Sequence, residues 1–140
     1  MKIILLAFCF VCTFASCKKE VLASTERLNE TVDSTTSVIK YSGVFTSGPY
    51  GTVSGRAEIV KQGSVLKLQL KNFDASNGPA LHMYLSKQAM PIDFIDLGSL
   101  KSTSGNQVYD ISGMPDFAAY KYVSVHCVDY NHLFGYAPLN

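Results

Sequence analysis

The stretch "VSGRAEIVKQGSVLKLQLK", residues 53–71, decides the fold. Leu66, Leu68 and Leu70 fall on one face, with Lys67, Gln69 and Lys71 on the other. That is the period-two alternation of a half-buried antiparallel strand. Upstream, Val53, Gly55, Ala57 and Ile59 form the matching inward set. Gln62-Gly63 between the two runs supplies a two-residue hairpin turn, with the glycine taking positive φ.

The same pattern continues along the chain. "ALHMYLS" (80–86), "IDLGSLK" (95–101), "QVYDIS" (107–112), "YKYVSVHCV" (120–128) and "LFGYAPL" (133–139) are short β-branched or aromatic runs, separated by turn signals such as "NGP" and "SGN". Residues 91–96 are expected to hold one helical turn. Seven or eight short strands with little helix predict an all-β domain, either an antiparallel β-sandwich or a small β-barrel. Gly55, Gly78 and Gly135 are expected at bulges or tight bends.

The 140 residues suffice for one domain. Twelve basic and 11 acidic side chains leave a net charge of +1, which argues against a nucleic-acid partner. No G-x-S-x-G elbow is present, and "SGNQ" and "YSGV" read as turns, so hydrolytic catalysis has little support.

The N-terminus reads as an address. Lys2 precedes the apolar run "IILLAFCFVCTFA" (3–15), too short for a membrane-spanning helix and fitting a secretory signal. The "FASC" that follows resembles a bacterial lipobox. On that resemblance residues 1–16 are a lipoprotein signal peptide, cleaved before Cys17, and Cys17 carries the lipid. The plain alternative is an ordinary signal peptide cut near Ser16. The polar stretch 17–36, "CKKEVLASTERLNETVDSTT", is then a flexible tether holding the domain about 25 Å from the membrane, and residues 37–140 are the β domain. The implied location is the bacterial cell envelope, facing the periplasm or the cell surface. The implied partners are the membrane, through the lipid, and an envelope or redox protein.

The motifs "YSGVF", "VSGRAEI", "LKLQLKNFDASNGPALHMYLS", "LGSLKSTSGNQVYDI" and "VSVHCVDYNHLFGYAPL", in that order, resemble the DM-thirteen domain, which accompanies DOMON domains in Skeletor-type proteins. The resemblance covers roughly residues 38–140. It implies an all-β extracytoplasmic domain with a characteristic cysteine proposed to act in electron transfer. That cysteine falls on Cys127. The family's "NF…GP" and "FG.A.L" elements fall on Asn72-Phe73, Gly78-Pro79, Phe134-Gly135, Ala137 and Leu139. An aromatic residue is expected just before the cysteine; this chain has His126.

Cys127 is the candidate chemical group. With Cys9 and Cys12 in the signal segment and Cys17 lipidated, it is the one thiol left. Alternation places it with Val123 and Val125, facing the core, and turns His126 to the other side. A buried cysteine acts as a small inert hydrophobe; a reactive one needs a cation, a helix N-terminus or a metal. His132, beyond the "DYN" turn, is the expected local partner for redox chemistry. No cofactor is expected. A copper site from His82, Cys127 and His132 is the weaker alternative, similar in order to cupredoxins. It lacks a methionine after His132, and His82 lies out of phase with Leu81, Met83 and Leu85. The tyrosines read mainly as half-wet strand residues, with a cluster near Tyr130 suited to a partner or a sugar.

Overall fold

A computed structural model describes residues 20–140. It contains ten strands: β1 (Leu28–Asn29), β2 (Ser37–Val44), β3 (Thr46–Ser47), β4 (Val53–Gln62), β5 (Val65–Ala75), β6 (Leu81–Ser86), β7 (Phe94–Ser99), β8 (Ser104–Ile111), β9 (Tyr122–Cys127) and β10 (His132–Pro138). Eight have six residues or more. They form two five-stranded sheets, ordered β1-β8-β5-β4-β2 and β3-β10-β9-β6-β7. Neither closes on itself, so the molecule is a β-sandwich and not a barrel. The strands pair antiparallel throughout, except β1 beside β8.

The opening hairpin is β4–β5. Gln62 pairs with Val65, so the two central turn residues are Gly63-Ser64, one position later than the expected Gln62-Gly63. Gly63 takes φ 59° at the first of them, where a II′ turn demands positive φ. Ala57, Ile59, Leu68 and Leu70 are fully buried. Met83, Leu85, Val123 and Val125 meet them from the other sheet. Removing each such side chain from water contributes about 1.5–3 kcal/mol.

A bulge in β5 keeps this core in phase. Leu70 opposes Gln107 while Phe73 opposes Gly105, so β5 carries one extra residue. Without it Phe73, an odd-numbered position, would point away from the leucines. Asn72 absorbs the bend at φ 48°, and its N–H donates to Asn106 Oδ1 at 2.9 Å. A second bulge in β10, at Phe134, turns that ring into the core. There it fills space that Cβ atoms at Gly51 and Gly78 would occupy. The "NF", "GP" and "FG" elements therefore hold the sandwich together.

Two expectations are corrected. Residues 94–99 are strand β7, with no helical turn at 91–96. The tether expected over 17–36 is, from residue 20 onward, docked chain. Leu22 bridges Pro79, and Ser24 bridges Ser102. Ala80 N–H donates to Val21 O at 2.9 Å, and Thr103 N–H to Ser24 O at 2.8 Å. Strand β1 then lies along β8. The Glu30 carboxylate accepts from Lys101 Nζ at 2.8 Å and from Val108 N–H at 2.9 Å. Composition reads this stretch as polar linker; its backbone groups instead satisfy an edge strand that would otherwise stand open. The signal segment 1–16 and Cys17 lie outside the described residues.

Candidate functional site

β9 sits inside its sheet, between β6 and β10, and Cys127 is its last residue. Leu81 of β6 opposes it on one side and His132 of β10 on the other. Its side chain joins Val123 and Val125 in the core, as alternation predicts, and is 1% exposed. Among the described residues no group donates to or accepts from its sulfur by hydrogen bond, and no helix N-terminus adjoins it.

His132 comes close through the backbone, but its ring goes elsewhere. It lies parallel to Tyr50, with centroids 3.6 Å apart and an interplanar angle of 4°. Tyr130 also packs on it, with centroids 5.8 Å apart and an interplanar angle of 28°. The three rings form a slab at the rim of the sandwich, with Tyr50 and Tyr130 each more than half exposed. Tyr130 Oη donates to the Glu20 carboxylate at 2.9 Å. The Glu20 bond and charge push the Tyr130 phenol above its ordinary pKa, and the charge of Asp129 acts the same way.

His126 occupies the opposite face of β9, as expected, but it is buried. Its Nε2 lies 3.0 Å from Asn131 Oδ1. With that oxygen accepting, the ring carries its proton on Nε2, and Nδ1 remains a buried acceptor without a partner. Burial is the main cause that lowers the His126 pKa; the Asn131 bond opposes it, and the His132 charge adds to it. Tyr84 lies 5.6 Å from His126 and stacks on Phe94 at 4.1 Å.

His82 sits directly across from His126, on the face away from Cys127. Its Nδ1 pairs with Asp96 Oδ2 at 2.9 Å, and its Nε2 lies 3.3 Å from Ser99 Oγ. His82, Cys127 and His132 therefore do not converge, which corrects the copper alternative. The sheet itself separates the first from the second. Among the described residues no group of three or more His, Cys, Asp or Glu side chains is placed to hold a metal ion.

Tyr50, Asn131, Tyr84 and Glu20 are neighbours of these residues that sequence reading did not select. Tyr50 lies in the "SGPYG" loop and Glu20 in the presumed tether, where no periodicity marks a packed side chain. Asn131 carries one local signal: in "DYN" it is a residue type that tolerates the left-handed region, and it adopts φ 52°.

Residues 44–139 match the family model described as "Electron transfer DM13". No curated protein and no solved structure matches the chain.

Proposed function

From the premise that this chain belongs to the DM13 electron-transfer family, we propose that it is a lipid-anchored envelope domain that passes electrons at the Cys127 end of its sandwich. The family match supports electron transfer as the class of activity. The observation that carries the site is the pairing of Cys127 with His132 across β9 and β10. It sets the one cysteine among the described residues across from the residue whose ring stacks on exposed Tyr50.

One thiol cannot form a disulfide within the domain. The chemistry open to it is exchange with a partner's disulfide. The Cys127 thiolate attacks one partner sulfur, a mixed disulfide forms, and the other partner sulfur leaves as a thiolate. Two electrons have then passed to that sulfur pair; a dithiol donor next attacks the Cys127 sulfur and releases the acceptor's second thiolate, and the donor's other thiol closes the donor's own disulfide and frees the Cys127 thiolate. His132, once its ring leaves Tyr50, is the base that takes the Cys127 proton. The reading calls for no bound cofactor. Cys17 as the lipid attachment point places the domain on the membrane of a bacterial envelope.

A second reading has a specific observation in its favour. At 1% exposure, with an unbonded sulfur, Cys127 fits an inert core position in a binding or structural domain.

Thiol trapping separates the two. On the redox reading, native protein held with a small disulfide such as oxidised glutathione gains a mixed-disulfide mass at Cys127. Its rate rises in Tyr50→Ala while global stability stays two-state. If Cys127 reacts only as fast as the whole domain unfolds, in both proteins, the inert reading replaces it.

A further inference from the structure

We infer that the end of the sandwich carrying Cys127 is a membrane-docking face, and that the domain lies directly on the lipid bilayer without a spacer. This rests on the lipid anchor at Cys17 proposed above.

The docked N-terminal segment carries the inference. Glu20 is already fixed by the Tyr130 phenol, and Val21 by its bond from Ala80 N–H. Glu20 lies three residue steps from Cys17, which at about 3.5 Å each reach about 10 Å. That is far less than the span a free tether of the whole 17–36 stretch would give. A lipid on Cys17 therefore pulls this particular end of the sandwich to the bilayer.

The surface waiting there has the matching chemistry. Ala80 bonds Val21 through its N–H and Val128 through its carbonyl, so those two side chains flank one point. Val21 is 74% exposed, Leu22 57% and Val128 47%. Tyr130 and Tyr50 continue the patch through the His132 stack. Aliphatic side chains rimmed by tyrosines, whose rings are apolar and whose hydroxyls are wet, suit the headgroup boundary of a bilayer. Lys18 and Lys19, beside the anchor, add attraction to anionic lipid. Asp129 is the exposed acidic residue on the 128–131 turn; it opposes deep insertion and favours a shallow seat at the interface. The β4–β5 turn, with exposed Val65, lies at the far end of the strands.

The chain contains no tryptophan, so Val21→Trp, Val128→Trp and Val65→Trp each introduce a single reporter at an exposed position. The lipidated full-length variants are reconstituted into vesicles of phosphatidylethanolamine and phosphatidylglycerol with brominated acyl chains, which quench indole on contact. Emission at positions 21 and 128 is expected to shift blue and to fall, while emission at 65 stays as in detergent. Positions 21 and 128 behaving like 65, with lipid on Cys17 verified by mass, would overturn the docking face and leave the anchor intact. No lipid on Cys17 overturns the anchor, and this surface with it. A blue shift that grows with protein concentration in the absence of lipid assigns the face to a second copy of the chain, and also overturns it.

Discussion

His132 opposes Cys127 across the β9–β10 ladder, yet its imidazole lies flat on Tyr50 at 3.6 Å. The backbone brings the pair together and the side chains are held apart. Opposed positions share a face of the sheet, so the separation comes from the rim location: the Tyr50 loop offers the ring a stacking partner outside the core. Breaking that stack costs about 1 kcal/mol. Tyr50→Ala is therefore expected to lower stability by about that amount in a urea titration, with an unchanged m-value. Tyr50→Phe, which keeps the ring, is expected to behave as wild type.

Cys127 itself fills core space. Cys127→Ala is expected to cost about 1 kcal/mol for the small cavity. Cys127→Ser is expected to cost more, about 1–3 kcal/mol, because a hydroxyl placed there finds no partner. Denaturation midpoints of the two variants give the order; serine proving the milder change would mean that the site is wetter than its 1% exposure indicates.

Acid sensitivity is expected to originate in part from His126. Its native pKa lies below the ordinary value of 6.5, mainly through burial. The unfolded chain then binds the proton at a pH where the folded chain does not. The contribution to stability is complete above 6.5 and is lost as pH falls below it toward the native pKa. His126→Phe removes the titrating group and the unpartnered Nδ1. Stability measured between about pH 5 and 7 is expected to vary less in this variant than in wild type. Asn131→Gly keeps the left-handed turn accessible but removes a bond that raises the His126 pKa, so the native pKa falls further and the loss of stability is expected to be larger and to continue to lower pH.

The docked N-terminal segment depends on two small residues. Ser102 is fully buried, and its Oγ lies 3.0 Å from Ser24 O and 2.5 Å from Glu26 O. Gly105 sits at φ 101°, where a Cβ would collide with the Leu28 backbone. Ser102→Ala is expected to cost about 1–2 kcal/mol. Gly105→Ala combines a strained φ with that collision, for about 1–3 kcal/mol. In hydrogen exchange both are expected to release residues 22–30 while β5 and β9 stay protected. Uniform loosening of the sandwich would contradict the assignment of this segment as a separately docked strap.

Strand alternation alone fixes most of the architecture. Leu66, Leu68 and Leu70 against Lys67, Gln69 and Lys71 define a face because a strand has a period of two, and Val123, Val125 and Cys127 follow the same rule. The family motifs are also legible as a string. What alternation does not contain is the position of a bulge: the extra residues at Asn72 and Phe134 reset the phase by local backbone geometry, and nothing in hydropathy marks them. Composition likewise fails for residues 20–30. Their docking is carried by backbone hydrogen bonds to β8 and to Ala80, which any sequence can make and which only the neighbouring edge calls for. The sequence by itself determines that Cys127 points into the core, because side-chain direction on a strand is a local property. Alternation likewise turns His82 away from the inward Leu81, Met83 and Leu85; only the tertiary structure decides that His132 turns to Tyr50 and that the chain's entry lies over the same end as the thiol. Those are relations between segments far apart in sequence, set by which strand lies beside which.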